Sequence, residues 1–85
     1  MKYSVFLSAH AARDLSRFHG PIHLRLKSAI EALANDPRPR GLRKMTTSGE
    51  WRLRVGAYRI RYLIDDSGHV VTVTHIGHRR DIYDH

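Results

Sequence analysis

An 85-residue chain is read as one domain, residues 1–85, with room for only a modest core. It has no cysteine, so disulfides and thiolate metal sites are excluded, and no apolar run approaches the ~20 residues needed to span a bilayer. Fifteen Lys and Arg against eight Asp and Glu give a formal net charge of +7, which points to a polyanionic partner, most often nucleic acid.

In chain order, residues 2–7 (KYSVFL) alternate as a strand, with Tyr3, Val5 and Leu7 on one face. The flanking residues carry no cleavage-site pattern, so the segment is read as a strand rather than a secretory signal, in keeping with a cytoplasmic protein. Ser8 suits the N-cap of a helix running to about Phe18, with Ala12, Leu15 and Phe18 on one side and Arg13, Asp14 and Arg17 off it. Gly20-Pro21 breaks the chain, and Pro21 fits the first turn of a second helix. There Ile22, Leu26, Ala29, Ile30 and Leu33 recur at helical spacing until Asn35-Asp36-Pro37 stops it. So short a connection predicts an antiparallel helix pair.

Residues 37–50 form a polar connector with a short strand expected near Leu42–Met45. The period then changes to two. Trp51-Arg52-Leu53-Arg54-Val55 and Tyr58-Arg59-Ile60-Arg61-Tyr62 flank Gly56-Ala57, the pattern of a type II′ hairpin. A turn at Asp65-Asp66-Ser67-Gly68 leads to a third strand, Val70–Ile76. The expected fold is α+β: an N-terminal strand, then two antiparallel helices packed on one face of a twisted, mainly antiparallel sheet of about four strands.

The hairpin register follows from its loop. Val55 faces Tyr58, Arg54 faces Arg59, Leu53 faces Ile60, Arg52 faces Arg61 and Trp51 faces Tyr62. Side chains alternate across a strand, so Arg52, Arg54, Arg59 and Arg61 share one face. Like charges opposite one another are unfavourable; an anion between them offsets the repulsion, and the arginine fork suits phosphate. A solvated sheet face more often mixes charge signs, which favours a phosphate-binding surface without specifying an enzyme. The C-terminal run Gly77-His78-Arg79-Arg80-Asp81-Ile82-Tyr83 adds a titratable group, two cations and a phenol that can return toward that face. His75, His78 and His85 have no carboxylate or cysteine pattern to complete a metal site, so no metal or other cofactor is expected.

The ordered set Asn35-Asp36-Pro37-Arg38-Pro39, Trp51-Arg52-Leu53-Arg54-Val55-Gly56, Tyr58-Arg59-Ile60-Arg61-Tyr62 and Gly77-His78-Arg79-Arg80-Asp81-Ile82-Tyr83 resembles the RelE/ParE superfamily of bacterial toxins, over essentially the whole chain. For the RelE branch the resemblance implies metal-independent cleavage of messenger RNA at the ribosome, with the 2′-hydroxyl attacking the adjacent phosphate. It further implies a cognate antitoxin as partner, no membrane association, and contact with operator DNA only through the antitoxin. Carried over by position, Arg59 and Arg79 stabilise the phosphate, Tyr83 stacks on a base, and Arg52 and Arg54 bind RNA, with Arg61 and Arg80 beside them. RelE itself has lysines where Arg52 and Arg54 stand, and arginine, with a pKa above about 12, is a poor base. The proton acceptor is then His78, or there is no efficient one. Two other readings share the fold: a ParE-like DNA gyrase inhibitor, and a weakly active, antitoxin-bound regulatory protein.

Overall fold

The computed structural model describes residues 2–78. Strand β1 (Ser4–Leu7) is followed by helices α1 (Ala9–Ser16) and α2 (Gly20–Ala32). Then come the two-residue strand β2 (Arg43–Lys44) and the meander β3 (Trp51–Val55), β4 (Tyr58–Asp65) and β5 (Val70–His78). Ser8 caps α1, its hydroxyl accepting the Ala11 N–H at 3.0 Å. Pro21 lies inside the first turn of α2, where a missing N–H removes no helical hydrogen bond.

The sheet has the order β1-β5-β4-β3-β2. Only β1 pairs in parallel, against β5; the other pairs are antiparallel. Among the described residues the sheet has five strands, in keeping with the expected sheet of about four, and the short strand expected in the connector is β2. The β3–β4 register is the one derived from the loop, from Trp51 opposite Tyr62 to Val55 opposite Tyr58. Gly56 has φ of +62° while Ala57 does not enter positive φ, as a type II′ turn requires.

One face of the sheet meets the helices. Leu26 and Ile30 from α2 and Leu33 at its C-cap form one buried cluster with Leu53, Val55, Ile60, Tyr62, Val71, Val73 and Ile76, and Tyr3 and Val5 pack at its margin. Burying each such side chain contributes about 1.5–3 kcal/mol. The Tyr62 hydroxyl donates to the Pro37 carbonyl at 2.8 Å, tying the exit of the helix pair to the sheet.

Helix α1 departs from its expected face: Ala11 is fully buried and Ala12 is exposed, and Asp14 turns inward. The reason lies in the unequal strand lengths. β1 pairs with β5 only along Val70–Val73, so the outer edge of β5 beyond that point needs other partners. The α1 segment supplies them. Ser8 Oγ donates to the Thr74 carbonyl at 3.2 Å, and Asp14 Oδ2 accepts the Ile76 N–H at 3.0 Å. A buried backbone donor must find an acceptor, and this requirement rotates Asp14 toward the sheet.

Candidate nucleic-acid interface

The face of the sheet opposite the helices carries the arginines in two rows. Arg43 of β2 pairs with Arg52 of β3, Arg52 with Arg61 of β4, and Arg61 with His75 of β5. One register step along, Arg54 pairs with Arg59, and Arg59 with Gly77. Adjacent strands lie about 4.8 Å apart, and same-face positions along a strand about 6.7 Å apart. The guanidinium groups therefore crowd one small area.

Gly41, Arg43, Arg52, Arg54 and Arg59 line a single cavity of about 470 Å³ on this face. Arg54 and Arg43 are exposed and Arg52 is partly buried, whereas Arg59 is only 3 % exposed. Arg59 Nη1 donates to the carbonyl of Tyr58 at 3.2 Å, which steadies the guanidinium at the floor of the groove. An open concave site lined by guanidinium forks is suited to an anion with several oxygens, such as a phosphodiester.

The sequence-derived candidates divide in the structure. Arg52, Arg54 and Arg59 line the groove together. Arg61 shares their face but is engaged elsewhere: its Nε and Nη2 donate to Glu50 Oε1 at 3.2 and 2.5 Å. Both side chains are largely buried, Glu50 at 8 % and Arg61 at 13 % exposure. Burial alone raises the Glu50 pKa, but hydrogen bonds from Thr74 and Arg61, the Arg61 charge and a hydrogen bond from Ser48 outweigh it, so the carboxyl stays below its ordinary 4.5. Arg61 thus neutralises a buried carboxylate and does not line the groove.

His78 is not in the lining either. Its ring meets Tyr58 edge-on at 5.6 Å, and Tyr58 in turn meets Phe18 at 5.3 Å, beside the helices. Alternation explains this: Gly77 sits opposite Arg59 on the open side, so His78 opposite Tyr58 turns to the other. Arg79, Arg80 and Tyr83 lie outside the described residues.

Sequence reasoning missed Arg43, which β2 brings into the first row, and also Glu50 and Thr74. Glu50 was legible in retrospect, since it has the same strand parity as Arg52. Among the described residues, no three His, Cys, Asp or Glu side chains converge as a metal-binding group. No helix among them is long and apolar enough to cross a membrane.

A family profile described as ParE toxin of type II toxin–antitoxin system, parDE, matches residues 5–83. Toxin RelG of Mycobacterium tuberculosis is 32 % identical over 88 residues, spanning 98 % of both proteins. A chain in the crystal structure of the toxin–antitoxin complex RelBE2 from the same organism superposes with a TM-score of 0.82 at 27 % identity, covering 93 % of this chain and 100 % of that one. The isolated E. coli RelE toxin gives a TM-score of 0.77 at 19 % identity, covering 96 % of this chain and 92 % of that one, a likeness of fold. Over nearly its whole length, and in the fold that carries its arginine rows, the chain belongs to the RelE/ParE superfamily of type II toxins.

Proposed function

We propose that this toxin is a cytoplasmic, metal-independent endoribonuclease that cuts messenger RNA at the ribosome. The 2′-hydroxyl attacks the adjacent phosphate, and a cognate antitoxin holds the toxin inactive. The observation that carries this reading is the groove in which Arg43, Arg52, Arg54 and Arg59 converge from three strands. Arginine forks stabilise charge growing on a pentacoordinate phosphorus. Arg59, anchored at the floor, is placed to do this; Arg54, exposed at the rim, is placed to position the strand. Arg79 completes the phosphate clamp, with Arg80 beside it on the RNA, and Tyr83 stacks on a base. The antitoxin reading is supported by the RelBE2 likeness, since that relative was crystallised as a toxin–antitoxin complex. Operator DNA is then reached only through the antitoxin.

The test is cleavage of messenger RNA on programmed ribosomes by the purified chain, with and without EDTA. Cleavage should survive the chelator. Arg59→Ala should lower the cleavage rate far more than ribosome affinity, because only interactions stronger in the transition state accelerate the step. Arg54→Ala should weaken binding and flatten its salt dependence, by up to about 0.7 in log–log slope for one lost phosphate contact on a single strand. In cells, expression of the chain alone should arrest growth and its operon neighbour should relieve the arrest.

The parDE description of the matching profile favours one other reading, inhibition of DNA gyrase by binding. A supercoiling assay run beside the ribosome assay separates the two. Gyrase inhibition with intact messenger RNA selects the second.

A further inference from the structure

A polar chain lies on the open face beside the groove, and a strand irregularity creates it. In β5 the core positions are Val71, Val73 and then Ile76, a spacing that strict alternation does not allow. The register shows why: Arg61 pairs with His75 but Tyr62 pairs with Val73, leaving Thr74 as an extra residue. Such a bulge re-aims side chains. Here it turns both Thr74 and His75 toward Glu50 and Arg61 on the open side.

The hydrogen bonds then fix the state of the imidazole. The Thr74 hydroxyl donates to Glu50 Oε2, and the other carboxylate oxygen is held by Arg61. With its hydrogen committed, Thr74 Oγ1 offers only a lone pair to His75 Nδ1 at 3.1 Å. Nδ1 therefore carries the proton, and Nε2 is the basic nitrogen. On the other side the His10 ring packs against His75 at 4.5 Å. His10 is itself held, its Nδ1 lying 3.0 Å from Asp14 Oδ2. The His75 side chain remains 37 % exposed, so the clamped ring is open to a ligand.

We propose that His75 is the general base of the RNA cleavage proposed above, accepting the 2′-hydroxyl proton at Nε2, with Glu50 and Thr74 as positioning residues. The inference rests on the ribonuclease reading. His75 ends the row Arg43–Arg52–Arg61 and is diagonal to Arg59, a relation that places side chains about 7–8 Å apart at the backbone. Gly77, opposite Arg59, puts no side chain between them. In the step, the 2′-O–H bond breaks and its proton passes to Nε2. The 2′-oxygen bonds to phosphorus, the P–O5′ bond breaks, and the departing oxygen takes a proton from water. The products are a 2′,3′-cyclic phosphate and a 5′-hydroxyl.

The groups facing His75 are Arg61 from β4, Glu50 before β3, and His10 and Asp14 from α1. Burial, then the Arg61 charge and His10, push the imidazole below its ordinary 6.5, and Glu50 and Asp14 only partly oppose them. The shift favours the neutral ring, the form a base requires.

Single-turnover cleavage on programmed ribosomes tests the assignment. The wild-type rate should rise with pH along an acidic limb whose midpoint lies below the ordinary 6.5 of an imidazole. His75→Gln should lose the limb and slow cleavage about 10²–10⁴-fold while leaving ribosome affinity unchanged. Added imidazole should restore cleavage to His75→Ala, which a merely structural defect would not allow. Thr74→Val and Glu50→Gln should keep a limb but move it along the pH axis. A His75→Gln protein that cuts at the wild-type rate with the same limb overturns this inference alone. A wild-type protein that binds ribosomes and cuts nothing overturns the ribonuclease reading, and the base assignment with it.

Discussion

Replacing Glu50 by alanine should be among the most damaging single changes to stability. The side chain is 8 % exposed and its partner Arg61 13 %, so water screens little of their attraction. Removing the carboxylate strands a buried guanidinium and the Thr74 hydroxyl, a loss of about 3–5 kcal/mol. A domain of 85 residues has about 4–13 kcal/mol in total, at about 0.05–0.15 kcal/mol per residue. Glu50→Ala should therefore unfold under mild urea. Glu50→Gln keeps an acceptor oxygen for Arg61 but sets an NH2 group where Oε2 accepts the Thr74 hydroxyl, and it loses the charge assistance, costing about 1–3 kcal/mol. The double replacement Glu50→Leu with Arg61→Leu removes both charges and should lie close to wild type, since a buried pair is seldom worth more than the apolar residues that can replace it. The Glu50 pKa is lowered in the fold, so its contribution is present above the ordinary 4.5 and is lost as pH falls through the folded value. The gap between wild type and Glu50→Gln should close over that window in urea titrations. A Glu50→Ala protein as stable as wild type at pH 7, or a double variant as unstable as Glu50→Ala, would refute the reasoning.

Leu26→Ala and Leu33→Ala remove side chains that are 0 % and 1 % exposed and should each cost about 2–5 kcal/mol; unchanged thermal unfolding in both would mean α2 does not seat on the sheet as described. Asp66 accepts Arg38 Nη1 and Nη2 at 3.0 and 2.8 Å and the Tyr3 hydroxyl at 2.6 Å. Its carboxyl should titrate near 2, and in Arg38→Gln it should move back toward 3.8, as read by NMR; a wild-type value of 3.8 would show the cluster does not form. Its contribution to stability is present above pH 3.8 and fades toward pH 2, and added salt should weaken it. A short oligophosphate or RNA oligomer should raise the melting temperature through the arginine groove, adding about 2.7 kcal/mol of stability at a hundred times its Kd. Arg52→Ala with Arg54→Ala should abolish that gain, and an equal gain in the double variant would place the anion elsewhere.

The arginine face was legible in the sequence because two independent rules met there. Strict alternation assigned Arg52, Arg54, Arg59 and Arg61 to one side, and a two-residue loop beginning with Gly56 fixed which residues oppose which. The face of α2 was legible for a similar reason, since five apolar residues at helical spacing leave one way to bury them. What escaped was set by contacts remote in sequence. The Asp14–Ile76 hydrogen bond spans 62 positions, and with the Ser8–Thr74 contact it sets the rotation of α1 that buries Ala11 rather than Ala12. Glu50 and Thr74 are 24 apart, and nothing local says that their side chains meet. The bulge did leave a trace, since Val71, Val73 and Ile76 break their own period, but alternation was followed no further than the hairpin.

Arg61 shows why four arginines of one parity do not make four equal ligands. Cross-strand neighbours of like charge repel, and the sheet accommodates them by different means at different depths. At the rim, Arg54 is exposed and water screens it. At the floor, Arg59 is nearly covered and uses a backbone carbonyl. In the row beside the bulge, screening is weak, and Glu50 supplies the opposing charge from inside the sheet face. That carboxylate cannot be exposed to the groove without weakening it for a phosphate, so it is turned away, toward β5. The direction in which it is turned is the one that leads through Thr74 to His75. The arrangement that makes the arginine cluster tolerable therefore also ends on His75, whose ring it holds through Thr74 while leaving the side chain partly exposed.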